Sequence, residues 1–321
     1  MKNFILYNYE FERIHHTQLN LFDAEHERIN PEEAFKNKNM IFAKSLMDDY
    51  EQTKLDKRVR DKSKLIEFRT ISKSKLCIHT HIIKPIDDIY VLKICNEKKI
   101  THHTQDFNEV KMEDYPGCMV IIDNRKDIQR IAIETNKSVF SYDITLGNIL
   151  NSTFRSLLQK YSLEFRLTNV QNPRDFWSIV EDKKNYKNGF KKVVFSLPPL
   201  NKERVFDKYI ELTKTMRGSY QSGMETTFVS EQNGQINFSK DDELQRELVE
   251  YSTIAVGGKN VITLYPNGHQ KLIRVGTLSH EYIYLDESVF EKLVQAQKEG
   301  NLFNNAALDK IKIEMKKGYK D

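Results

Sequence analysis

Between residues 65 and 134 the chain delivers a succession of short apolar runs, none long enough for a helix that could stand alone, and each broken by turn residues. The runs are IEFRTI, KLCIHTHII, DIYVLKIC, KKITHHT, CMVIID and QRIAIE. Period-two alternation in segments this short is the pattern of β-strands joined into a meander. Asp114-Tyr115-Pro116-Gly117 and Asn124-Arg125-Lys126-Asp127 carry the turn chemistry on either side of CMVIID. The start, NFILYNYEFER (3–13), reads as a further strand.

Around this meander the pattern changes to period 3.6. Asn30-Pro31-Glu32-Glu33 is a helix start, with Asn as cap and Pro at the first helical position. Phe35, Phe42, Leu46 and Tyr50 then recur on one helical face. Helices are predicted over 144–160, 173–184, 201–216, 241–250, 287–299 and 305–317, alternating in the middle of the chain with the strands SLEFRLTNV and KKVVFSLP. Further strands follow in TTFVS, IAV, NVITLY, QKLIRV and HEYIYL, with Pro266-Asn267-Gly268 as a hairpin signal. Helices packed on sheets in this order predict an α+β (mixed α/β) fold. The chain divides into a mixed α/β region, 1–218, and a smaller β-hairpin region with C-terminal helices, 219–321.

Composition narrows the setting. Hydrophobic residues are 39% and charged residues 30% of 321, enough to bury a core. No apolar stretch approaches the roughly 20 residues of a membrane span, and Glu10 and Glu12 interrupt the first apolar patch where a secretory signal would need its apolar segment. Three widely spaced cysteines, Cys77, Cys95 and Cys118, do not form a disulfide framework. The expectation is a cytoplasmic protein with free thiols. A net charge of +4 permits contact with nucleic acid without arguing for it.

Several residue sets carry chemistry at or near a useful spacing. Asp123 ends one strand, and Glu134 and Lys137 end the next. Metal-dependent nucleases use two carboxylates to hold Mg²⁺ and a lysine to steady the attacking water. The Glu-x-x-Lys spacing is one residue too long for both side chains to share a strand face, so a hairpin with a polar rim is the favoured reading. Cys77, His79 and His81 share a strand face, with His102-His103 as a source of a fourth zinc ligand, but no established zinc spacing is present; no resident metal or other cofactor is expected. Glu164 and Arg166 read as a paired strand surface. Gly257-Gly258-Lys259 lacks the flanking glycine and hydroxyl of a phosphate loop, which fall on Thr253 and Asn260.

Basic stretches remain. Residues 54–64 carry six Lys/Arg against two Asp. The segment KKNYKNGFKK supplies Lys183, Lys184, Lys187, Lys191 and Lys192, with aromatic residues between them, as candidate nucleic-acid contacts. In the tail, Leu308, Ile311 and Met315 fall on one helical face, and either the chain's own body or a protein partner must cover that face.

The segment DYPGCMVIIDNRKDIQRIAIE (114–134) resembles bacterial proteins of about this size found among mobile-element and antiviral defence genes. The resemblance covers about a fifth of the chain and implies a role in antiviral defence, with no catalytic residue carried across. The leading expectation is a non-catalytic binding or regulatory subunit of a bacterial assembly, with a protein partner or a second copy as its companion and no membrane. The alternatives are a nuclease using Asp123, Glu134, Lys137 and Mg²⁺, and a nucleic-acid-binding protein.

Overall fold

The computed structural model describes residues 1–14, 30–55, 64–69, 74–96, 98–103, 105–106, 108–197, 224–232, 234–254, 262–275 and 280–317. The fold is α+β, as the patterning predicts. The helix expected over 201–216 and the boundary expected at residue 218 lie outside the described residues.

Strands β1 (Lys2–Arg13), β2 (Lys64–Arg69), β3 (Ser74–His81), β4 (Ile89–Asn96), β7 (Gly117–Asp123), β8 (Arg130–Glu134), β9 (Leu163–Asn169) and β14 (Tyr282–Leu285) form the larger sheet. Its order is β14-β1-β8-β7-β4-β3-β2, with β9 also paired to β1. The meander β2-β3-β4 is antiparallel throughout, as are β4 with β7 and β7 with β8. A separate two-stranded ribbon joins β5 (Lys98–His103) to β6 (Glu109–Asp114). Strand β6, EVKMED, has too little apolar character to read as a strand; its pairing with β5 supplies what its composition does not.

The chain clusters into two compact units. The first comprises residues 1–4, 11–167 and 283–316. Its core includes a knot of phenylalanines: Phe11 on β1, Phe42 on α2 (Lys38–Leu55), Phe154 on α3 (Ile144–Gln159) and Phe165 on β9. Their ring centroids lie 5.1 to 5.9 Å apart, mostly edge-to-face, the arrangement that aromatic quadrupoles favour. The helix expected to run on from Pro31 is in fact two. Asn30 caps α1 (Pro31–Lys36) by accepting a hydrogen bond from Glu32 N at 2.9 Å, and the chain turns at Asn37 before α2 begins. Helices α6 (Glu287–Glu299) and α7 (Ala306–Met315) complete the unit. Gly300, at φ +76°, ends α6 in the left-handed conformation that glycine adopts without penalty.

The second unit comprises residues 5–10, 168–282 and 317–321. Its centre is a four-stranded antiparallel sheet in the order β11 (Met224–Val229), β10 (Phe190–Leu197), β12 (Ile262–Pro266), β13 (Ile273–Val275). Helices α4 (Pro173–Glu181) and α5 (Glu243–Ile254) cover one face. From that side Phe176, Trp177, Val180, Leu248, Val249 and Tyr251 pack onto Val193, Phe195, Ile262 and Leu264. Asn172 caps α4, accepting from Arg174 N at 2.9 Å, with Pro173 at the first helical position. Among the described residues, no helix is long and apolar enough to cross a membrane.

Candidate nucleic-acid interface

The strand pair β7-β8 decides the fate of the carboxylate set. Its register places Asp123 opposite Arg130, and Ile133 opposite Val120. Glu134 therefore lies four residues farther along β8 than Asp123's partner, about 13 Å away at 3.3 Å per residue. Two carboxylates on one Mg²⁺ must each come within about 2.1 Å of the ion. Both residues share a face of the sheet, yet they stand at opposite ends of the hairpin, so the two do not meet. Lys137 is exposed in the turn beyond β8.

Each carboxylate has a structural partner instead. Asp123, fully buried, receives Arg125 through Nε at 2.9 Å and Nη2 at 2.6 Å, and through the Arg125 backbone N at 3.2 Å. Burial pushes the Asp123 carboxyl up, and the Arg125 guanidinium opposes that push. Glu134 accepts from Met119 N at 2.7 Å and pairs with Lys2 at 3.0 Å. Arg125 Nη2 also donates to Lys312 O at 3.3 Å, and Arg130 Nη1 donates to Met315 O at 2.8 Å. Two arginines thus hold the carbonyls of the last turn of α7, where the helix dipole favours positive charge. A clamp between buried Asp123 and half-buried Arg125 thus occupies the place that the nuclease alternative gave to a metal ligand.

The tail residues are buried as well. Leu308, Ile311 and Met315 are each 0% exposed, sealed inside the first unit by its own chain. All three belong to the buried apolar core.

Glu164 and Arg166 form ion pairs with Arg155 (2.8 Å) and Glu12 (2.8 Å), a paired strand surface. Cys77 and His79 have side chains outside the described set, and among the described residues no group of three His, Cys, Asp or Glu could hold a metal. Neither Cys95 nor Cys118 is in a disulfide, and burial pushes the Cys95 thiol up.

The lysine segment behaves differently. After α4 the chain makes a tight loop over 182–189. The Asp182 carboxylate organises it, accepting from Asn185 N at 3.1 Å and Asn185 Nδ2 at 2.7 Å; these bonds hold that carboxyl below its usual range. The loop closes at Gly189, whose φ of +60° favours glycine and where a Cβ would crowd Gln235 and Ile236 O at 3.2–3.3 Å. Asn267 ties the loop to the β12-β13 turn, donating from N to Gly189 O at 2.9 Å and from Nδ2 to Asn188 O at 2.8 Å. The Tyr186 and His269 rings lie 5.8 Å apart. Lys183, Lys184, Lys187 and Lys191 are exposed, Lys192 is half-buried, and exposed Lys271 belongs to the adjoining turn. One end of the four-stranded sheet therefore collects positive charge on an anchored scaffold. Nearby acids are partly engaged: Glu181 pairs with Lys240 at 2.7 Å, and exposed Glu231, next to Ser230, tempers the cluster.

The sheet face opposite α4 and α5 continues from this end. Alternation turns Val193 and Phe195 inward and leaves Lys192, Val194 and Ser196 outward. Ladder partners put Thr227 and Val229, then Thr263 and Tyr265, and then Arg274 on the same outer face. Val229 is 69% exposed, and Lys192 Nζ lies 5.3 Å from the centre of the Tyr265 ring. The segment NVITLY reads as a strand from sequence, but which of its residues face outward follows only from knowing which face the helices cover. Comparison of the chain with protein-family models, with curated proteins and with solved structures finds no match.

Proposed function

We propose that this chain is a non-catalytic nucleic-acid-binding protein whose contact is the basic end of its four-stranded sheet. The observation that carries this reading is the gathering of Lys183, Lys184, Lys187, Lys191 and Lys192 at one end of the four-stranded sheet, beside Lys271. A loop held by Asp182, Gly189 and Asn267 fixes the backbone from which Lys183, Lys184 and Lys187 project, so that only the side chains have to be ordered on binding. Preorganised charge of this kind suits a phosphate backbone, and counterion release supplies the affinity. The reading is non-catalytic because the carboxylates nearest to a nuclease pattern, Asp123 and Glu134, are occupied and separated. A place for the protein as a binding subunit in a bacterial antiviral assembly rests on the resemblance of residues 114–134 alone.

Filter binding across a salt series tests the proposal. Five phosphate contacts give a log–log slope of roughly −3.5 on single strands and −4.5 on duplex DNA, a loss of about 10² to 10³ in affinity between 50 and 200 mM salt. Replacing Lys183, Lys187 and Lys191 together with Gln flattens the slope by roughly two to three. An absence of binding at 50 mM salt, or binding indifferent to salt, refutes the reading.

A further inference from the structure

The basic end accounts for affinity to any polyanion, but the outer sheet face beside it, on which no helix packs among the described residues, has a chemistry of its own. Outward-facing residues on charged surfaces are ordinarily long and polar. Here the face offers Val194, Val229, Thr227, Thr263 and the Tyr265 ring, with Lys192 among them and exposed Arg274 on the last strand. Among the described residues no helix packs on it: α4 and α5 both lie on the other side. The charge is graded as well. The lysines stand at the end where β10 begins, and Glu225, accepting from Ser196 Oγ at 3.4 Å, stands at the far end. A chain of phosphates crossing the face is attracted most strongly at the lysine end and repelled at the Glu225 end, which fixes where it sits.

We infer that the outer face of the β11-β10-β12-β13 sheet binds single-stranded nucleic acid, with a base stacked on Tyr265 and the phosphates running to Lys191, Lys192 and the 182–189 loop. This rests on the nucleic-acid reading above and sharpens it from polyanion to single strand. Four strands at about 4.8 Å spacing make a platform roughly 14 Å across, the kind of surface on which sheet-faced modules stack two or three unpaired bases. A duplex hides its base faces and could reach only the lysines. Lys192 Nζ lies over the ring that a base would cover. Its flexible stem lets the ammonium swing to a phosphate as the base arrives, so the charge is retained in the complex.

The test is fluorescence anisotropy with a labelled 12-nucleotide single strand and a 12-base-pair duplex, using the full chain at fixed low salt. The single strand is expected to bind more tightly. Tyr265→Leu is expected to lower its affinity about five- to 140-fold, which is 1–3 kcal/mol of stacking at 1.4 kcal/mol per decade, while leaving duplex affinity and the salt slope unchanged. Tyr265→Phe keeps the π-face and is expected to bind like the native chain, which separates stacking from any damage to the sheet. If the duplex binds as tightly as the single strand, or Tyr265→Leu binds the single strand normally, the inference is overturned while the lysine contact stands. If neither ligand binds, both this inference and the nucleic-acid reading fall.

Discussion

Helix α7 offers a sharp test of whether the tail is core, because two isoleucines two residues apart differ completely in environment. Ile311 is 0% exposed and Ile313 is 68% exposed. Ile311→Ala removes a fully buried side chain and leaves a cavity, so it should cost about 2–5 kcal/mol. Ile313→Ala removes a side chain already in water and should stay within about 0.5 kcal/mol. For a folding unit of roughly 150–250 residues, each kcal/mol shifts Tm by about 2–4 °C, so the first variant should melt roughly 4–20 °C early and the second should not move. Deleting residues 301–321 removes Leu308, Ile311 and Met315 together, at about 1.5–3 kcal/mol each, a loss comparable to the whole margin of a folded unit. The truncated chain should fail to fold. Circular dichroism melts, with light scattering for mass, provide the readout. An Ile311→Ala chain that melts normally but changes its mass in solution would refute the core assignment and restore the tail as a partner surface.

Other outcomes follow from single residues. Asp123→Asn should destabilise the chain, since it leaves Arg125 without its ionised partner, and protein purified with Mg²⁺ or Mn²⁺ should leave DNA and RNA intact whether or not Asp123 is changed; metal-dependent cleavage lost on this substitution would reverse the clamp reading. Asp88 is exposed at φ +59° in the turn between Ile86 and Ile89, and desolvation by its neighbours pushes its carboxyl up, against a hydrogen bond from Asn124 and with a further push from Asp87. The folded chain then holds this proton more tightly than the unfolded one, so stability falls as pH rises through the window between the ordinary and the raised pKa. Asp88→Asn should accordingly raise Tm at pH 7, with the gain shrinking as the pH is lowered through the ordinary aspartate range of about 4, in a melt series over pH. Gly300→Ala meets no atom within 4 Å, so its cost is conformational alone, about 1 kcal/mol by urea titration; a neutral result would mean that φ +76° is not required there.

The local signals in this sequence were legible because they act over a few residues. Asn30-Pro31 and Asn172-Pro173 each specify a cap and a first helical turn by chemistry the neighbours cannot override, and both helices begin there. Pro266-Asn267-Gly268 lies at the β12-β13 turn, with Gly268 at φ +77°. What the sequence could not supply was pairing over distance. Strand β6 carries Glu109, Lys111, Glu113 and Asp114 and reads as loop until Ile100 and Met112 are seen to pair across the ribbon. The division into units was equally hidden, since the first unit closes only when residues 283–316 return to strands laid down more than a hundred residues earlier.

The two residue sets differ in how far the sequence could place them. Asp123, Glu134 and Lys137 suggested a constellation because sequence distance was read as proximity. In an antiparallel hairpin, however, the residue before the turn and the residue ending the next strand are driven apart by the full length of the pair. Arg125 and Arg130, which the sequence offered as turn and strand residues, turn out to bind the end of a helix nearly two hundred residues away. No period or motif encodes that contact. The lysines of 183–192 could be read because an exposed loop needs no distant partner to be exposed. Tyr265 could not, because its outward direction depends on which sheet face α4 and α5 cover, and only packing decides that. Charge on a short loop is a local property and can be read one residue at a time. An outer sheet face is a property of a whole sheet, which exists only once four strands separated by up to 80 residues have come together.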